Sequence, residues 1–229
     1  MRAPLLALLT AAAPLASTAA TPPSLSPQTQ AVIAPVHEAI VKARAEIAAL
    51  PPPKDDIEKL RRMKKLDQAP RSAFGSIDFS RIPSGEKDEA MRAIGAQMTP
   101  IDQANQKALL EMVPSDGWFS ISRYGREGSA AAFLIVQHGN VDLWRRFVPI
   151  LAPLVEKGEI KGADYALMFD RLAISEGRPQ RYGSQIHCVA GKYEPFPIED
   201  PDHLDALRAA MNLPPYADYL APYASKPPC

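Results

Sequence analysis

Apolar positions recur at three- and four-residue steps through most of the chain, the spacing that gathers them on one face of an α-helix. Val32, Val36, Ile40, Ala43 and Ile47 form such a stripe between about residues 28 and 50, and Pro51-Pro52-Pro53 ends it. A charged helix is expected from about 54 to 68, with Ile57, Leu60 and Met63 on its apolar side and its polar face solvated. Residues 70–85 read as loop. Ser84 is placed to cap a helix over 85–98, and Pro100 to open the next, to about 112.

Pro114-Ser115-Asp116-Gly117 is turn chemistry, and Trp118 and Phe119 just after it are expected in the core. From Ala130 to Val136 the chain is apolar on every side, which predicts a central, buried helix ending at Gln137-His138. Asn140 then caps a helix over 141–157, and another over 163–176 closes at Gly177. Tyr, Ile, Val and Phe around Ala190-Gly191 predict a β-hairpin within 182–197. Asp200-Pro201 opens a helix to about 211, and a last one lies near 215–223. The fold class is mainly α: a single globular helical domain with a small β-hairpin near its C-terminal third. The chain divides into an N-terminal helical segment, 28–100, and a helical domain, 101–223.

The first twenty residues have a different character. One positive charge, Arg2, precedes an apolar run from Ala3 to Leu15 and the small residues Ser17 to Ala20, the order of a secretory signal cleaved after Ala19 or Ala20. The run is shorter than the roughly 20 residues that span a bilayer. A Pro-rich linker follows over 21–27. The expected product is therefore exported, periplasmic or secreted, and holds no membrane segment after cleavage. Its 26 basic and 26 acidic residues become 25 and 26 once Arg2 is removed, a net charge of −1. That balance lacks the basic excess of a nucleic-acid binder. In an oxidising compartment Cys188 and Cys229 invite a disulfide; the alternative is a buried Cys188 and a tail thiol.

No phosphate loop, dinucleotide glycine pattern, nucleophile elbow or paired metal-ligand spacing occurs, so neither cofactor nor metal is expected. The chemical signal is instead polar residues on apolar stripes. Asp170 has Ala166, Leu167, Ala173 and Ile174 as helical neighbours, and a carboxylate there needs a partner. His138 ends the buried helix, where the dipole favours a protonated ring. A polar run follows Gly177. One reading makes a pocket: His138 and Asp170 catalytic, with Arg171, Arg178, Gln180, Tyr182 and Gln185 binding a small polar or anionic ligand. The other is a hydrogen-bond network that locks the loop after Gly177 onto the helices.

Several motifs carry a resemblance. Asp102-x-x-Asn105, Gly117-Trp118 and Gln137-His138 are followed by Asp170-Arg171, Gln180-x-Tyr182-Gly183-Ser184-Gln185 and Pro197-Ile198-Glu199-Asp200-Pro201. Over about residues 101–220 the chain resembles an uncharacterised bacterial family catalogued as domain of unknown function 6624. Members usually have Ala-Asp where this chain has Gly139-Asn140, and threonine at Ser184. The resemblance implies no activity, but it implies that the Gln-His, Asp-Arg and Gln-x-Tyr-Gly-x-Gln elements act together. Three classes of function remain: a small-ligand binding module, a hydrolase or lyase with His138 as general base, and a structural or interaction domain.

Overall fold

The computed structural model describes residues 25–226; the expected signal and Cys229 lie outside them. Eight α-helices and one hairpin follow in order: α1 (Pro27–Ala48), α2 (Asp56–Phe74), α3 (Lys87–Met112), α4 (Ile121–Gln137), α5 (Val141–Glu156), α6 (Gly162–Ser175), β1 (Ile186–Val189), β2 (Lys192–Pro195), α7 (Leu204–Ala210) and α8 (Tyr216–Ala224). Side-chain caps set several starts. Ser26 accepts from the Thr29 amide, Asp55 from Glu58 at 2.7 Å, and Asn140 from Leu143 at 3.1 Å.

α4 is the central helix, as its unbroken apolar run predicts. Ala131, Ala132, Ile135 and Val136 are buried, and they share a core with Leu60 and Met63 of α2, Leu109 of α3, Phe147 of α5 and Met168 of α6. Trp118 and Phe119 are buried in the same core, the indole edge-on to Phe147 with ring centroids 5.5 Å apart. A second apolar cluster joins Val32, Val36 and Ile40 of α1 to Ala90, Ile94 and Ile101 of α3. Each such fully buried side chain contributes about 1.5–3 kcal/mol. α4 is not straight. At Gly125 the backbone leaves the helical region, with φ 66° and ψ 170°.

Four expected boundaries move. α2 continues through Pro70 to Phe74, into what the sequence reads as loop. α3 is one helix across Pro100, and so runs continuously through the point where the sequence divides the chain. Ser84 lies in a short 3₁₀ turn and caps nothing, and α7 begins at Leu204 rather than beside Pro201. Pro100 lies between buried Ile94 and Ile101, and Pro70 between buried Met63 and partly buried Ala73 and Phe74, so packing outweighs the lost amide bond. The hairpin forms as expected, with Val189 opposite Lys192 and a two-residue turn. That turn has positive φ at both Ala190 (49°) and Gly191 (81°), as a type I′ turn requires. Cys188 in β1 is disulfide-bonded. Among the described residues no helix is long and apolar enough to cross a membrane.

Candidate functional site

The site begins on α2. Leu60, Met63 and Asp67 follow one another at three- and four-residue steps and are all buried. Because α2 passes through Pro70, Arg71 falls one turn beyond Asp67 on the same face. The Arg71 guanidinium donates to Asp67 Oδ1 at 3.2 Å, and to Asp102 Oδ1 and Oδ2 on α3 at 3.0 and 2.8 Å. His138 closes the cluster from the end of α4, its Nδ1 2.9 Å from Asp67 Oδ1. Gln68 Nε2 donates to the other oxygen of Asp67 at 2.6 Å. The Asp67 side chain is 1% exposed, His138 15% and Arg71 22%. A buried carboxylate is thus matched by a guanidinium and an imidazole at the edge of solvent. Gln68 also lines an adjoining groove of about 250 Å³ with Arg61, Lys64, Lys65 and Glu127.

The frame that holds the cluster is equally specific. Asn105 Nδ2, one turn along α3 from Asp102, donates to the Met63 carbonyl of α2 at 3.2 Å. A helix leaves its last carbonyls without intrahelical donors. At the end of α4, Trp144 Nε1 serves Val136 and Gln137, Arg171 Nη1 serves Gln137 at 3.2 Å, and Gln106 Nε2 serves His138 at 3.1 Å. Helices α3, α5 and α6 therefore each fix the segment that carries the imidazole. Arg171 lies over the Trp144 ring, and burial pushes its guanidinium below the usual arginine range. Gln137 Oε1, at the same helix end, is buried and has no hydrogen-bond partner among the described residues.

Asp170 belongs to a different construction. Its carboxylate accepts the backbone amides of Arg181 (2.7 Å), Tyr182 (3.0 Å) and Ser184 (2.9 Å). Gln180, fully buried, donates to the carbonyls of Gln185 and Phe196 and accepts the Gln185 amide at 2.8 Å. Buried Arg208 binds the Tyr182 carbonyl at 2.6 Å and that of Pro214 at 2.8 Å, and Tyr219 donates to the Ser184 carbonyl. Desolvation pushes the Tyr182 and Tyr219 phenols up and the Arg208 guanidinium down. Gly183 sits at φ +63° where a Cβ would stand 2.7 Å from the Tyr216 ring, so the turn admits only glycine without rearrangement.

The expected site residues thus fall into two groups. Asp170, Gln180, Tyr182 and Gln185 bind one another's backbone around the loop after Gly177. His138 is paired instead with Asp67, and no hydrogen bond joins His138 to Asp170. Arg171, beside Asp170 in sequence, reaches the α4 end through the Gln137 carbonyl. Arg178 pairs with Glu176 at the surface, 2.8 Å apart. Asn140 caps α5 and does not orient the imidazole.

Asp67, Arg71 and Asp102 were not singled out for chemistry by the sequence. The signal lay in the stripe itself, since an aspartate four residues after Met63 interrupts it just as Asp170 interrupts the stripe of α6. Asp67, Asp102 and His138 each offer one ligand atom, all within 4.8 Å of one another, with the Arg71 fork seated on both carboxylates. No paired metal-ligand spacing was present in the sequence because the three come singly from three helices.

Comparison with curated proteins and with solved structures finds no match. A family model matches residues 55–224, from the cap of α2 to the last residue of α8, and so takes in Asp67 and Arg71, ahead of the motifs that begin near residue 101. The chain belongs to the family of unknown function DUF6624.

Proposed function

We propose that this chain is an exported domain that binds a small polar ligand at the cluster on the end of α4, with His138 as the group presented to it. The observation that carries the reading is the 2.9 Å bond from His138 Nδ1 to a carboxylate that is 1% exposed. That bond fixes the ring, while Nε2 makes no hydrogen bond among the described residues. The electrostatics favour positive character in the ligand. Two carboxylates and the negative end of the α4 dipole converge here. Arg171 and Arg178, expected to bind an anion, are engaged with the Gln137 carbonyl and with Glu176.

The same bond supports a second reading, a hydrolase or lyase. A neutral imidazole that donates Nδ1–H to Asp67 carries its lone pair on Nε2, the arrangement of a general base oriented by a buried carboxylate. One set of variants separates the readings from a purely structural role. Thermal-shift screening of the secreted protein against amines, sugars and cell-wall fragments is run beside a panel of chromogenic esters and amides. His138→Gln is expected to keep the fold and lose the ligand shift or the turnover. A variant that unfolds and a wild type that responds to nothing would together leave only scaffold. Export is tested separately by N-terminal sequencing of the secreted product, expected to begin at Ala20 or Thr21; Met1 on a cytoplasmic product would refute it.

A further inference from the structure

The chemistry of the cluster goes further than a polar ligand, and this step rests on the ligand site just proposed. We infer that Asp67, Asp102 and His138 form a site for a divalent cation of the zinc or manganese class, with Arg71 as its built-in competitor. Two carboxylate oxygens and an imidazole nitrogen are a donor set that such ions take. Bonds of about 2.0–2.2 Å place ligands roughly 3–4 Å apart around an ion. The three atoms here lie within 4.8 Å of one another, so a small side-chain adjustment closes the set. Gln68 and Asn105 supply the outer support, the first by holding Asp67 Oδ2, the second by tying α3 to α2 beside Asp102.

The set is more than an acidic cluster, because its third donor is the imidazole of His138, whose carbonyl Gln106 holds, and the side chain of Asp67 is 1% exposed. Gln137, one residue before His138, is 8% exposed, and its Oε1 is buried with no donor among the described residues. A buried acceptor left without a donor calls for a water or an ion. It stands at the helix end that already favours positive charge. Arg71 shows the same demand being met internally. Its guanidinium touches both carboxylates, yet its side chain is 22% exposed and has a short path to solvent. Once it swings away, an ion of charge +2 balances the two carboxylates.

That competition gives the proposal its test. Zinc chloride and manganese chloride are titrated separately into the full chain by calorimetry, after removal of adventitious metal. Wild type is expected to take up one ion. His138→Gln and Asp102→Asn should each weaken uptake about tenfold or more, and Arg71→Gln, which removes the competitor, should tighten it by a similar factor. Circular dichroism checks that each variant is folded. A cobalt(II) titration of the wild type supplies a readout that needs no variant, since a nitrogen- and oxygen-ligated ion gives visible absorption bands. No uptake by wild type and by Arg71→Gln, or uptake that His138→Gln leaves unchanged, overturns the proposal. A His138-dependent organic ligand in the absence of any ion uptake would sink the cation site alone and leave the ligand reading in place.

Discussion

The two polar networks that the motifs build differ in what closes them. Around Asp170 a side-chain carboxylate meets backbone amides, and Gln180 and Arg208 meet backbone carbonyls. Backbone partners cannot leave, so that network fixes the path of the loop after Gly177 and has little capacity to spare. Around Asp67 the contacts run from side chain to side chain between helices, and the guanidinium of Arg71 and the imidazole of His138 that complete it reach solvent. Satisfied buried networks rigidify a fold, whereas exchangeable or unmet groups have somewhere to put a ligand. In this chain the two networks are therefore built differently, and under the proposed reading one holds the scaffold and the other offers the site.

Substitutions probe that division in order of size. Asp170→Asn should be severe, because three loop amides lose a charged acceptor and meet an amide instead. A loss of about 3–5 kcal/mol is expected, comparable to the core truncation Trp118→Ala. In calorimetry this amounts to a fall in Tm on the order of 10 °C. A variant that melts like wild type would show that the loop does not depend on Asp170. His138→Ala removes one hydrogen bond from an imidazole at the edge of solvent to a buried carboxylate that Arg71 still partners, and denaturant unfolding should register about 1–2 kcal/mol. A much larger loss would place the imidazole among the scaffold groups. Replacing Asn140 by alanine takes the cap from α5, at about 1 kcal/mol, and should leave any His138-dependent binding intact. Arg178→Ala, at an exposed pair with Glu176, should leave the melting curve where it was.

Much of the fold was legible because burial imposes period. The all-apolar stretch of α4, the stripe of α1 and the Ala190-Gly191 turn each admit one structure. The errors lie at prolines. The sequence reading ends α2 near residue 68 and breaks α3 at Pro100, but Pro70 is followed by Ala73 and Phe74 packed on the second cluster and Pro100 lies between buried Ile94 and Ile101, so local propensity yields to packing. The site was half legible for the same reason. His138 and Asp170 are polar residues on apolar stripes, so their need for partners could be read, but not the identity of those partners. Asp67 was hidden by its charged surroundings on α2, where Arg61, Arg62, Lys64 and Lys65 make the polar face look merely solvated. The error over Pro70 removed Arg71 from view, because a chain that stops at residue 68 never brings it one turn above Asp67.

The division into two networks is tested most directly by a pair of double-mutant cycles read by denaturant unfolding. One combines His138→Ala with Asp67→Ala, the other His138→Ala with Asp170→Ala. Residues in one hydrogen-bond network couple by about 0.5–3 kcal/mol, whereas residues with no shared partner add to within about 0.3–0.5 kcal/mol. The first cycle is expected in the coupled range and the second within the additive limit. Strong coupling of His138 to Asp170, with none to Asp67, would contradict the division and return His138 to the loop scaffold.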